Sequence, residues 1–152
     1  MAAAKYTSFM GDALALAHAA IAVGEVPVGA VIVKDGKIIG RGHNRTRIDL
    51  DPTAHAEMVA IREATQFLGN DRLEDCDLWV SLEPCTMCAG AIAHARVRRL
   101  YYGTDDPKGG AVDSGVRFFY APTCHHKPEV YAGIEGASAA KLLSDFFRIR
   151  RD

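Results

Sequence analysis

No stretch of this chain stays uncharged for the ~18 residues that a membrane-spanning helix needs. Ala13–Gly24, an uncharged run that no other exceeds in length, has a superficial likeness to a signal peptide. Only Lys5 precedes it, however, and His18 interrupts it, so neither a leader nor a membrane location is expected. Charge of one sign is also lacking: 18 Lys and Arg face 19 Asp and Glu, for a net charge of −1. That excludes a polycation, and a nucleic-acid partner would have to be gripped by local patches. Cysteine is scarce and uneven. Cys76, Cys85, Cys88 and Cys124 do not form the spaced framework of a disulfide-stapled secreted domain, and a reduced, cytoplasmic setting with metal-bound thiolates fits better. Repeats, low-complexity tracts and linkers are missing too, so residues 1–152 read as one domain.

What is present is enough apolar material for a core, 49% of residues. Residues 6–24 read as an amphipathic helix, with Phe9, Ala13, Leu16, Ala20 and Val23 recurring at steps of four and three. Val28–Lys34 and Lys37–Arg41 are β-rich runs joined at Asp35-Gly36, a hairpin signal. A loop bearing Arg41, Arg45 and Arg47 closes at Asp51-Pro52-Thr53, and Thr53 is suited to cap a helix over 54–68. After an acidic connection, Leu78–Leu82 reads as a strand, Pro84 as the opening of a helix to Ala95, and Val97–Tyr102 as a strand. Residues 103–128, interrupted by Gly and Pro, read as a long functional loop able to hold a short helix. Val130–Ile134 then reads as a strand and Ala137–Arg151 as a closing helix. Strands alternating with helices after a hairpin imply a three-layer α/β/α sandwich.

Two segments carry chemistry, His55-Ala56-Glu57 and Pro84-Cys85-Thr86-Met87-Cys88. Cys-x-x-Cys puts two sulfurs on one face of a helical turn. With one imidazole they make three protein ligands for zinc, leaving the fourth vertex for water, as catalytic rather than structural sites do. Both segments begin helices, whose N-terminal N–H groups and dipole favour thiolate. Glu57, two residues from a ligand, is the nearest proton shuttle, provided the first helical turn aims both side chains inward. Alone, Cys-x-x-Cys could be a redox pair or half of a zinc knuckle, and Glu57 a solvated first-turn acid. His-x-Glu with Pro-Cys-x-x-Cys at successive helix starts is far more specific, and is the general signature of zinc nucleobase deaminases. Cys76, Cys124, His125 and His126 are a weak basis for a second metal site, because adjacent residues rarely converge on one ion.

At this point the sequence resembles the bacterial tRNA-specific adenosine deaminases. The resemblance runs from Glu25-Val26-Pro27-Val28-Gly29-Ala30 to the end and rests on Asp51-Pro52-Thr53-Ala54-His55-Ala56-Glu57 and Leu82-Glu83-Pro84-Cys85-Thr86-Met87-Cys88-Ala89-Gly90-Ala91. Guanine and cytosine deaminases share those motifs. The segment Gly103–Ala111 and the tail Leu142–Arg151 separate the groups. The resemblance implies a cytidine-deaminase-like fold around a mixed five-stranded sheet, a homodimer, and conversion of adenosine to inosine at the tRNA wobble position. It implies one zinc ion per subunit on His55, Cys85 and Cys88, with Glu57 as proton shuttle. Asn44 would hydrogen-bond the flipped base and Val28 would line its pocket. Asp106 and Lys108 would meet neighbouring anticodon-loop nucleotides, and Phe147 and Arg150 the same loop from the last helix. Asp105 departs from a basic residue found in some relatives, and its charge should weaken attraction for phosphate.

Independently of the resemblance, arginines cluster at 41/45/47, 96/98/99 and 148/150/151, the last beside Phe146 and Phe147. Such charge and aromatic surface suits single-stranded RNA. Consecutive rings project about 100° apart on a helix, so one can enter the core while the other stays outside. The Asn44 amide suits a purine edge, but from the residues alone a tight turn after the strand is the favoured reading. Two other readings stay open at this point: a free-base or nucleoside deaminase for guanine or cytosine, and a non-catalytic zinc-stabilised RNA-binding module with four protein ligands.

Overall fold

The computed structural model describes residues 7–151, for Arg151 the backbone only; Tyr6, where the sequence-predicted first helix starts, lies outside the described residues. Four helices flank one five-stranded sheet: α1 Met10–Ala22, β1 Gly29–Lys34, β2 Lys37–His43, α2 Ala56–Leu68, β3 Cys76–Leu82, α3 Thr86–Ala95, β4 Arg99–Thr104, β5 Glu129–Tyr131 and α4 Gly136–Arg151. The strand order is β2-β1-β3-β4-β5. β1 runs antiparallel to β2 and β3, while β4 runs parallel to β3 and β5, so the sheet is mixed as expected.

Strand periodicity divides the core between the two faces. Ala30, Ile32, Leu78, Val80, Leu100 and Tyr102 point one way and are buried together with Ala60, Ala64, Ala89 and Ile92 of α2 and α3. Val31, Val33 and Trp79 point the other way, onto Met10 and Ala13 of α1. Trp79 stacks on Tyr101 at 3.8 Å, and Tyr101 on Tyr131 at 5.0 Å, a ladder of rings from adjacent strands.

Several boundaries differ from the sequence reading for identifiable reasons. The buried stripe of α1 is Met10, Ala13, Ala17 and Ala20, and Val23 is left exposed beyond the helix end. Small side chains win the buried face because they let the helix approach the sheet closely. Thr53 does not cap α2. Its N–H and hydroxyl both donate to Asp51 Oδ1, closing a side-chain turn, and the N-cap position falls to His55. α3 begins at Thr86 with Cys85 at its N-cap, so Pro84 stands outside the helix and its carbonyl accepts the Ala111 N–H. β4 starts at Arg99 rather than Val97, because Arg96 leaves α3 in the left-handed conformation and Val97 N–H still bonds back to Ile92. β5 is shorter than expected, and Gly133 turns the chain just beyond it. The Asp35-Gly36 turn is as read, both residues having positive φ between the paired Lys34 and Lys37. The long loop holds one 3-10 turn, Phe118–Tyr120.

Candidate active site

The starts of α2 and α3 bring three ligand atoms together. His55 Nδ1 lies 3.5 Å from Cys85 Sγ and 3.6 Å from Cys88 Sγ. A tetrahedral zinc ion, with bonds of about 2.3 Å to sulfur and about 2.0 Å to nitrogen, spaces its N and S ligands about 3.5 Å apart. The spacing therefore fits the metal. Both His55 and Cys85 sit at N-caps in extended conformation, with no side-chain cap bond, so their side chains are free to face the ion. Among the described residues this is the one group of three or more His, Cys, Asp or Glu side chains close enough to share a metal.

The donor chemistry points the same way. Cys85 is held down to about 4, first by its contact with Cys88 and also by the His55 ring. Cys88 is pushed up by that same contact with Cys85 and by burial. The contact thus favours the thiolate at Cys85 and disfavours it at Cys88. A divalent ion would stabilise the second thiolate.

Glu57 is 4% exposed, in the first turn of α2. Burial raises its carboxyl to about 7, with the Cys85 charge adding to the rise and His55 opposing it. The N-cap and the first turn of α2 thus bring residues 55 and 57 to one site. The floor they form belongs to a cleft of about 380 Å³ whose lining also includes Val28, Asn44, Thr46, Cys85, Asp106 and Gly109. This is the size range of small-molecule pockets.

Of the remaining sequence candidates, Asn44, Val28 and Asp106 line this cleft. Lys108 is exposed on the loop behind Asp106, and its backbone N–H donates to the Asp106 carboxylate. Phe147 and Arg150 line an adjoining depression with Gly24, Val26, Arg47 and Phe146. Val26 belongs to both hollows. Phe146 is buried at 8% and Phe147 is 45% exposed, the division expected of consecutive rings, and the Arg150 guanidinium lies 4.6 Å from the Phe146 ring centre. The first and third arginine clusters therefore meet beside the cleft through Arg47 and Arg150. The second does not join them. Arg98 pairs with Asp77, and Arg99 with Asp77 and Glu129, at the opposite end of β3 and β4.

Asp105, expected as a charge facing phosphate, accepts a hydrogen bond from the buried Tyr102 hydroxyl at 2.9 Å. The same hydroxyl lies 2.5 Å from Asp113. Burial together with these carboxylates keeps the phenol protonated far above its ordinary value. Cys124 Sγ–H donates to the His126 carbonyl and His126 Nε2 lies 2.7 Å from the Val97 carbonyl, so both serve the loop rather than a second metal site.

Two buried acids were missed by sequence reasoning. Glu25 accepts the backbone N–H groups of Arg47 and Ile48, and Glu83 accepts from the loop that carries Asp106. Glutamate has no local sequence mark that separates a buried acceptor from a solvated surface acid. Only the place of Glu83 beside Pro84-Cys85 offered a signal.

Proteins of known identity resemble the chain over most of its length. A family model of MafB19-like deaminases matches residues 5–151. A tRNA-specific adenosine deaminase of Agrobacterium fabrum is 57% identical over 148 residues, 97% of each chain. The structure of a tRNA:A34 deaminase, from work on A-to-I editing at the wobble position of transfer RNA, superposes with a TM-score of 0.88 at 58% identity, covering 89% of this chain and 98% of that one. A guanine deaminase from Bacillus subtilis is more distant, with a TM-score of 0.66 at 36% identity over 98% of this chain and 96% of its own. With that identity spread along nearly its whole length, and with the His-x-Glu and Pro-Cys-x-x-Cys segments meeting at one cleft, the chain belongs to the family of tRNA-specific adenosine deaminases.

Proposed function

We propose that the chain hydrolyses adenosine to inosine at the wobble position of tRNA, with one zinc ion on His55, Cys85 and Cys88 and with Glu57 as the proton carrier. The observation that carries this is the buried Glu57 carboxyl beside a three-ligand group, on the floor of a cleft that Asn44 and Val28 line. Three donors rather than four also speak against a closed structural zinc knuckle.

Zinc bound there supplies Lewis-acid activation of a water molecule. Glu57 takes one proton from the attacking water and delivers it to N1 of the adenine. It then moves the second water proton to the departing amine. The bond formed is C6–O, the bond broken is C6–N6, and ammonia leaves. Asn44, which both donates and accepts, holds the purine edge while Val28 packs against the ring. The neighbouring nucleotides lie against Asp106 and Lys108, and the rest of the anticodon loop lies over Phe147, Arg47 and Arg150. Phe147 offers a face for stacking, and the two guanidinium groups offer partners for phosphate. An anticodon loop already presents unstacked bases, so extruding the target costs less than from a duplex. The working unit is a homodimer of single-domain subunits in the cytoplasm, where the substrate is. No helix among the described residues is long and apolar enough to cross a membrane.

The test compares turnover on an unmodified anticodon stem-loop with turnover on free adenosine, guanine and cytosine. Inosine formed in the stem-loop, with little reaction of the free compounds, is expected. Preferred turnover of guanine or cytosine would overturn the substrate assignment.

A further inference from the structure

Glu83 is 2% exposed, and among the described residues every hydrogen-bond partner of its carboxylate oxygens is a donor from a single loop. Its Oε1 accepts the Asp106 N–H at 2.9 Å and the Ser114 hydroxyl at 2.8 Å. Its Oε2 accepts the N–H groups of Val112, Asp113 and Ser114 at 2.9–3.0 Å. The loop wraps closely enough that a Cβ on Gly110 would lie 2.5 Å from the Glu83 carboxyl carbon, so only glycine fits there. The same loop is tied to the metal-ligand turn. Ala111 N–H donates to the Pro84 carbonyl, and Gly110 pairs with Cys85 as an isolated antiparallel bridge. Asp106 and Gly109, from this loop, form one wall of the cleft.

We propose that Glu83 is a positioning residue for substrate: it sets the distance between the metal-ligand turn and the cleft wall that receives the nucleotides beside the target base. Five donors converge on two oxygens; an ionised carboxylate presents an acceptor at both positions, whereas a carboxamide presents an acceptor at one and a donor at the other. In Glu83→Gln the amide oxygen can replace Oε2 and keep its three bonds. The amide nitrogen then faces the Asp106 N–H, donor against donor, and Asp106 is the residue released. Its displacement widens the cleft on the side of the flanking nucleotides and leaves His55, Cys85, Cys88 and Glu57 at the starts of α2 and α3. The kinetic part of this proposal rests on the deaminase reading; the structural part does not.

The test uses the zinc-loaded full chain and its Glu83→Gln and Ser114→Ala variants, with three readouts: zinc per chain, amide hydrogen exchange, and kinetics on an anticodon stem-loop. For Glu83→Gln we expect one zinc per chain, faster exchange confined to 105–114, and a KM raised about tenfold or more with a much smaller fall in kcat, as befits one unsatisfied buried donor. Ser114→Ala, which removes one bond and creates no clash, should show the same pattern with a smaller change. Unchanged exchange over 105–114 in both variants would overturn the loop anchor. Faster exchange with kcat falling and KM constant would overturn the role in substrate positioning. Should the wild-type chain leave the stem-loop untouched, the substrate reading fails by itself, while exchange and zinc content still decide whether Glu83 fixes the wall.

Discussion

Two residues apart on a helix, side chains ordinarily diverge, and the site escapes that geometry because His55 is not in the helix. It stands at the N-cap with extended backbone, while Glu57 is inside the first turn. One can therefore reach the cysteines while the other is buried beside them. A buried carboxyl raised to about 7 is easily protonated at neutral pH, which suits a group that must accept and release protons in turn. Glu57→Gln keeps the shape and polarity of the side chain but cannot accept a proton from water. Turnover is expected to fall by about 10²–10⁴, the usual contribution of general acid–base catalysis. Zinc content, read by elemental analysis, should stay at the wild-type level. Retained turnover would remove Glu57 from the mechanism, and lost zinc would make it a ligand.

At the scale of elements, the placement of α2 decides where His55 and Glu57 point, and α2 rests on β2 with almost no space between them. A Cβ on Gly42 would lie 2.4 Å from the Ala56 carbonyl oxygen and 2.8 Å from the Ala60 nitrogen, both backbone atoms of α2. Gly42→Ala must therefore push the start of the helix off the sheet, at a cost of about 1–3 kcal/mol. Thermal unfolding should show a lower Tm, and kcat should fall beyond what the unfolded fraction explains. A variant with normal Tm and kcat would mean that the helix start tolerates displacement. The elements themselves were largely legible in the sequence, because the Asp35-Gly36 turn and the alternating strands carry local signals. The His55-Ala56-Glu57 and Pro84–Cys88 segments were legible for the same reason, since both are short-range patterns. What was illegible depends on partners distant in the chain. Thr53 looked like a cap until Asp51 claimed its donors, and Arg98 and Arg99 looked free until β3 and β5 supplied their acids. Glu25 and Glu83 carried no local mark of burial, because their donors come from loops beginning some twenty residues later.

Across the whole molecule, a net charge of −1 leaves attraction for RNA to a few cations beside the cleft. Lys108 is exposed on its loop, and Arg47 and Arg150 line the depression that adjoins the cleft. If these three each meet a phosphate, affinity for a single-stranded loop should fall with a log–log slope of about −2 in salt, at about 0.7 per contact. Measuring KM for the stem-loop across a salt series checks this. A flat series would place the RNA elsewhere on the surface. The polar groups buried around the cleft tell the same story from inside the protein. Glu25 holds the loop next to Thr46, Glu83 holds the loop next to Gly109, and Asn44 and Glu57 face the space between. Among the described residues most of the interior is apolar, and the buried acids Glu25, Glu57 and Glu83 lie in or beside the cleft.

The central claim, that one ion on an imidazole and two sulfurs makes the cleft catalytic, is tested most directly by metal removal. The chain is stripped with a chelator and titrated with zinc while inosine in unmodified tRNA is measured. The expected result is no inosine without metal and a linear return of activity that levels off at one zinc per chain. Full activity in the stripped protein, or a plateau only at two, would contradict it.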